Sequence, residues 1–240
     1  KGLVACSWLW CVCADYDPKN LLPDGRPAHW AFTQGTLNWL AIRANFPNNA
    51  HPLIPVEGSL LDSLLDTALF YSDSSWGKLS FNFTFPPIAN VTTPATSSTA
   101  DSIKRESLAA MSYLNYTYCG WPCSSPKAKP GKFDAVLVAF YPSPPVVDWA
   151  GLGVVGNGFT WTIYPTSAGI LEHEIGHNFG MGHGKTTKCR IGDIAYNTPD
   201  YEGFSRMAAG GTVYRSDPSS RFTENGHFDP SCKHWFGWIE

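Results

Sequence analysis

Charged side chains are scarce in this sequence: Asp, Glu, Lys and Arg make up 15% of its 240 residues, against about 25% in an ordinary soluble domain. What charge there is nearly cancels, with 17 basic and 20 acidic residues and a formal charge of −3. No lysine or arginine block exists that could neutralise a phosphate backbone, which excludes nucleic acid as a partner class. No apolar run reaches the length of about 18 residues that a membrane span requires. None of the 7 cysteines sits in a C-x-x-C pair, which argues against a zinc ribbon or a thioredoxin-like redox motif. Internal repeats and domain linkers are missing as well.

What is present is apolar and aromatic. Hydrophobic residues make up 43% of the chain, with 10 Trp, 10 Tyr and 14 Phe, so the chain has enough apolar mass for a well-buried core. Three sequons, Asn82-Phe-Thr84, Asn90-Val-Thr92 and Asn115-Tyr-Thr117, accompany Cys6, Cys11, Cys13, Cys119, Cys123, Cys189 and Cys232. Together they point to an oxidising, extracellular compartment. Cys119 and Cys123 flank a turn short enough to bridge, and the odd count leaves one thiol over. Residues 2–14 read either as the remnant of a signal peptide or, preferred here for their three cysteines and two tryptophans, as a buried first strand. The chain has no initiator Met, and a processed form or a fragment is expected.

Periodicity gives a coarse map. Residues 15–29 and 44–58 read as loops around a short helix at Thr36–Arg43, and Ser59 as the N-cap of a helix over 60–71. Leu79-Ser-Phe-Asn-Phe-Thr-Phe85 alternates strictly, as a strand with one wet face does, and Asn82 falls on the wet side. Further helices are expected over 101–116 and 168–179, the latter capped by Thr166 or Ser167. Phe133–Tyr141 is apolar on both faces, as in a central strand, and Phe159–Tyr164 is a second strand after the glycine-rich stretch 151–158. Asp229-Pro230 opens a last helix to Phe236, stopped by Gly237. Strands alternate with helices, so the class is a mixed α/β sheet packed by helices.

The segment His173-Glu-Ile-Gly-His177-Asn-Phe-Gly180-Met-Gly-His183 carries chemistry. Histidines at i and i+4 share one helix face and can share one Zn²⁺. Leu171, Ile175 and Phe179 fall on the opposite face, toward the core. Glu174 stands beside the metal position, where a carboxylate can take a proton from an activated water and return it to a leaving amine. Gly180 supplies the left-handed turn that brings His183 back as third ligand. Three His ligands leave the fourth position open, the mark of a catalytic zinc site. By residue frequencies, the full pattern arises by chance about once in 10⁵ chains of this composition.

That extended motif resembles the one of the metzincin zinc proteases, matching it at every fixed position. The clan also has a methionine turn beneath the metal, for which Met207 in Gly203-Phe-Ser-Arg-Met-Ala-Ala-Gly210 is the candidate, because Met111 precedes the motif and Met181 lies within it. Within the clan the chain is most similar to the gametolysin family of algal extracellular proteases. The stretches that carry this likeness are Tyr71-Ser-Asp-Ser-Ser-Trp-Gly-Lys-Leu-Ser-Phe81, Gly151-Leu-Gly-Val-Val-Gly156 and Lys233-His-Trp-Phe-Gly-Trp-Ile239. Gly184 and Ala209 depart from the residues found at those positions in other metzincin families.

The resemblance implies one catalytic domain over 1–240, with an α/β (α+β) upper part to about residue 180 and a lower part over about 181–240. It implies a twisted, mostly parallel sheet with an antiparallel edge strand, packed by the active-site helix, a second long helix and a C-terminal helix. It further implies one catalytic Zn²⁺, secretion, and hydrolysis of extracellular matrix or cell-wall glycoproteins, often proline-rich, by a monomer. The strand before the zinc helix would be an exposed edge with which an extended peptide pairs somewhere in residues 153–163, with Gly153, Val154, Val155 and Gly156 as candidate contacts. A propeptide and a C-terminal segment are expected beyond the chain.

Weaker signals are read blandly. Trp121, Trp149, Trp161, Trp235 and Trp238 could stack on sugars but are expected in the core, and His227 and His234 at the surface. Asp193, Asp200 and Glu202 could bind Ca²⁺ but lack the alternating carboxylate spacing of an EF-hand, and are read as solvated. Two other functions fit the sequence: a secreted adhesion module whose zinc only braces the fold, and a protease with one narrow maturation target.

Overall fold

The computed structural model describes residues 5–6, 33–47, 55–92, 100–112, 117–118, 132–141, 149–181, 189–191 and 194–196, together with 207, 228, 233, 234 and 236–239. The elements, in chain order, are β1 (Ala5–Cys6), β2 (Gly35–Asn45), α1 (Glu57–Ser74), β3 (Leu79–Thr84), β4 (Ala89–Asn90), α2 (Ala100–Ala110), β5 (Thr117–Tyr118), β6 (Lys132–Phe133), β7 (Ala135–Phe140), β8 (Gly151–Gly153), β9 (Phe159–Ile163), α3 (Ala168–Asn178), β10 (Cys189–Ile191) and β11 (Ile194–Tyr196).

The main sheet has the order β3-β2-β7-β9-β8, with β4 continuing beside β2 past the end of β3. β3, β4 and β7 all run parallel to β2, and β9 runs parallel to β7. β8 pairs antiparallel with β9 and closes that side of the sheet. The expected architecture, a mixed fold with a mostly parallel sheet and an antiparallel edge strand, is therefore observed.

β2 is a correction. Thr36–Arg43, read above as a short helix, is the middle of an 11-residue strand flanked on both sides. Trp39, Leu40, Ala41 and Ile42 are all buried because alternate residues enter opposite cores. A segment apolar on both faces satisfies helical and extended spacing alike, and pairing with β3 and β7 decides between them.

The two faces of the sheet build two cores. On one, Leu37, Trp39, Ala41, Phe81, Leu137 and Ala139 pack against α1 and α3. On the other, Leu40, Ile42, Val136, Val138, Phe159 and Trp161 pack against Ile103 of α2 and Met111 just beyond it. Helix α1 begins earlier than the periodicity suggests: Val56 occupies the N-cap without a side-chain bond, and Ser59 lies inside the first turn. Ser59 as N-cap is thus corrected, the acidic Glu57 in the first turn favouring the earlier start.

The C-terminal stretch is tied to the start of β2 and the turn before β3. Trp238 Nε1 donates to Thr33 O (2.6 Å), Thr33 Oγ1 donates to Phe236 O (2.9 Å), and Lys78 Nζ donates to Gly237 O and Trp238 O (3.1 and 3.0 Å). Residues 71–81 and the described residues of 233–239 are thereby one structural unit. Lys233 and His234 are helical and Gly237 has φ +69°, in keeping with the expected helix stop, while residues 229–232 lie outside the described residues. Of residues 2–14 only β1 is described, paired antiparallel with β10. Among the described residues, no helix is long and apolar enough to cross a membrane.

Candidate metal centre

Helix α3 is a short rod buried on all sides. Ser167 is its cap, Oγ accepting from Ile170 N (3.4 Å), and every residue from Leu171 to Asn178 is buried. Leu171, Ile175 and Phe179 enter the core beneath the sheet, as their spacing predicts. Tyr71 of α1, fully buried, reaches across to donate its hydroxyl to Glu172 O (2.7 Å). The helix ends at Gly180 with φ +93°, closed by Gly180 N to His177 O (2.8 Å) and Met181 N to Gly176 O (3.3 Å).

On the other face the two histidines converge. Their Nε2 atoms lie 3.1 Å apart, with ring planes at 89° and side chains almost wholly buried. Because Gly180 turns the chain back, the carbonyl of Met181 meets His177 Nδ1 at 2.7 Å. A carbonyl can only accept, so Nδ1 carries the proton and Nε2 of neutral His177 presents a lone pair. Two nitrogens on one tetrahedral zinc, each about 2.0–2.1 Å from it, stand about 3.3 Å apart. The spacing of the two described nitrogens fits that value. Among the described residues no group of three His, Cys, Asp or Glu gathers around a common point. The expected third ligand, His183, lies outside the described residues.

Glu174 packs against the open edge of the sheet. Its Oε2 accepts from Gly153 N of β8 (2.6 Å). Burial pushes its pKa up to about 7, and the Gly153 bond, which favours the carboxylate, holds it from going further. This closeness depends on two glycines. A Cβ at Gly153 would strike the backbone carbonyl of Glu174, and one at Gly151 would lie 2.7 Å from Glu174 Cγ and 2.8 Å from Ile170 Cγ2. The pair at i and i+2 on one strand face thus lets the helix lie directly on β8.

Below the helix, Met207 is fully buried, and its Sδ occupies the space a side chain at Gly176 would need, with Met181 Cε at 2.9 Å from the same point. The hairpin of β8 and β9 is pinned to the end of α3. Asn178, fully buried, accepts from Thr160 Oγ1 (2.6 Å) and donates from Nδ2 to Phe159 O (2.9 Å) and Val154 O (3.2 Å). Gly156, at φ +69°, donates its N–H to His177 O (2.9 Å).

His173, Glu174, His177, Gly180, Met207, Gly153, Val154 and Gly156 therefore gather in one region, while Val155 stands half exposed at the hairpin tip. The edge itself is β8; the strand immediately before α3, β9, is interior, flanked by β7 and β8. That corrects the expectation of an exposed strand reaching to residue 163: β9 has a partner on each side, so among the described residues only the β8 end of that range has an open side. Gly151, Gly176 and Asn178, to which the sequence reading gave no individual role, prove to be the residues that allow and hold this packing. Trp161 and Trp238 are core residues, Trp149 packs edge-on to Phe140, and His234 is exposed. Trp121, Trp235, His227, Asp193, Asp200, Glu202, Cys119 and Cys123 lie outside the described residues.

No protein-family model and no curated protein matches this chain. Among solved structures it is similar to one titled "Structure of a chaperone-substrate complex", at 14% identity and a TM-score of 0.38 over 63% of this chain. The match spans 24% of that longer chain, and a likeness of this size carries no argument about fold or function.

Proposed function

We propose that this chain is a secreted zinc-dependent endopeptidase of the metzincin type, most like the gametolysins, cleaving extracellular matrix or cell-wall glycoproteins. The observation that carries the reading is the convergence of His173 and His177 Nε2, 3.1 Å apart, with Glu174 between them in sequence and held at the open sheet edge. Zinc held by these two residues and His183 would supply Lewis acidity toward a peptide carbonyl and a water molecule.

The chain's own groups do the rest. The Met181 carbonyl orients the His177 ring. Glu174, with a pKa near 7, is matched to accepting a proton from the attacking water and returning it to the leaving amine nitrogen at neutral pH. The outward side of β8, where the Gly153 N–H points away from β9, offers an extended peptide a backbone to pair with. The test is hydrolysis of gelatin and of a proline-rich wall glycoprotein by the purified protein, alone, with a zinc chelator, with zinc restored, and as Glu174→Ala. The reading expects cleavage that chelation and the mutation abolish and that zinc restores. Folded protein that takes up no zinc would overturn it.

A further inference from the structure

The sheet has a second open side, opposite the metal centre. β3 has β2 on one flank and, among the described residues, no strand on the other. An open edge presents unpaired backbone N–H and C=O groups to any other strand, and proteins usually guard it with charge, proline or a bulge. Within β3 itself there is neither charge nor proline, and Pro86 and Pro87 come only after it, before β4. From Leu79 to Phe85 the chain reads Leu-Ser-Phe-Asn-Phe-Thr-Phe, with no charged residue and no proline. Uncharged, strongly β-forming heptads of this kind are aggregation-prone when exposed. Phe81 is buried in the core, yet Phe83 and Phe85 are only partly covered.

Both described sequons lie on this edge. Asn82 is in the middle of β3 and Asn90 in β4, and both are exposed, as are Thr84 and Thr92. Each asparagine faces another across the ladder to β2. Asn82 Nδ2 donates to Asn38 Oδ1 (3.3 Å), and Asn90 Oδ1 accepts from Asn45 Nδ2 (3.1 Å). Neither bond forbids a substituent on Nδ2. Asn90 contributes only its oxygen, and Asn82 needs one of its two N–H hydrogens. The partners Asn38 and Asn45 are seven residues apart on one strand, which sets the two sites about 23 Å from each other along the edge.

We infer that Asn82 and Asn90 carry N-linked glycans, and that these sugars guard the β3–β4 edge in place of charge. The donor is an oligosaccharide on a lipid pyrophosphate. Its C1–O bond breaks as Nδ2–C1 forms, the amide gives up one proton, and the lipid pyrophosphate leaves. The inference rests on secretion alone and is independent of catalysis, so inactive but glycosylated protein would refute the protease and leave this intact.

The experiment takes the full chain exported through the secretory pathway of a eukaryotic cell. Peptides are mapped before and after enzymatic glycan release, which turns each occupied asparagine into aspartate. Both positions should read as Asp, and Thr84→Val with Thr92→Val should abolish both. Light scattering should then show the sugar-free variant self-associating at concentrations where the glycosylated chain does not, and a further Asn82→Lys should restore dispersity by supplying a charge. Exported protein with unmodified Asn82 and Asn90 would overturn the sites. A sugar-free variant that stays dispersed would overturn the guarding role.

Discussion

Gly153→Ala puts the packing of α3 on β8 to a quantitative test. In an ordinary strand, alanine is favoured over glycine by about 0.5–1 kcal/mol, since glycine loses more backbone freedom on folding. Here the added Cβ meets the Glu174 carbonyl, the Glu174 carbonyl carbon at 2.8 Å and His177 Cβ at 3.0 Å, where carbon pairs normally sit at about 3.5–4.0 Å. Two of these atoms are backbone and cannot rotate away, so helix and strand must separate by roughly 1 Å. Overpacking of that kind costs up to about 3 kcal/mol. The same separation stretches the 2.6 Å Gly153–Glu174 bond past hydrogen-bonding range, which removes about 1.5–3 kcal/mol more. After the backbone gain is subtracted, a net loss of about 1.5–5 kcal/mol is expected. Gly58→Ala is the matched control, because nothing lies within 4 Å of a Cβ at Gly58 in the first turn of α1. It should stabilise by about 0.5 kcal/mol. Urea unfolding of the two variants beside the parent gives opposite shifts of the midpoint. A Gly153→Ala midpoint at or above the parent's would refute the close approach.

Asn178→Ala removes one acceptor and two donors from a fully buried junction, and a loss of about 2–3 kcal/mol is expected. Hydrogen exchange should localise it, with the Gly156 and Asn157 amides of the hairpin losing protection first. Lys233 is held below its ordinary pKa of 10.5 by desolvation, its Nζ lying 4.7 Å from the centre of the Trp76 ring. The fold therefore favours the neutral amine, so stability should rise as pH increases from the folded pKa toward 10.5 and level off above it. Lys233→Met should flatten that rise in denaturation midpoints measured across alkaline pH.

The parts of the fold that were legible in the sequence are those where one residue pattern admits one geometry. The strict alternation of Leu79–Phe85 allows only a half-wet strand, and the i, i+4 histidines with Gly180 allow only a helix with a left-handed stop. Thr36–Arg43 was not legible, because its apolar residues Leu37, Trp39, Leu40, Ala41 and Ile42 fit both spacings and its strand character comes from partners 44 and 96 residues away, as at Asn38–Asn82 and Asn38–Asp134. At the site, Met207 could be singled out because so few methionines exist. Asn178 could not, since its role appears only when Thr160 and the hairpin carbonyls are brought against it. Gly151 and Gly153 did leave a signal: two glycines at i and i+2 bare one face of a strand, the pattern of a backbone that something else must approach.

The hydrogen on the Gly153 amide has one further consequence. It serves one strong acceptor at a time, and Glu174 already holds it. A peptide laid along β8 in register with Gly153 would therefore enter by exchange. Its carbonyl would take the hydrogen, and the carboxylate would be released from the strand. Under the proposed function, arrival of a substrate chain and untethering of Glu174 would be a single event, whereas a ligand that skips Gly153 would leave the carboxylate tied to the strand.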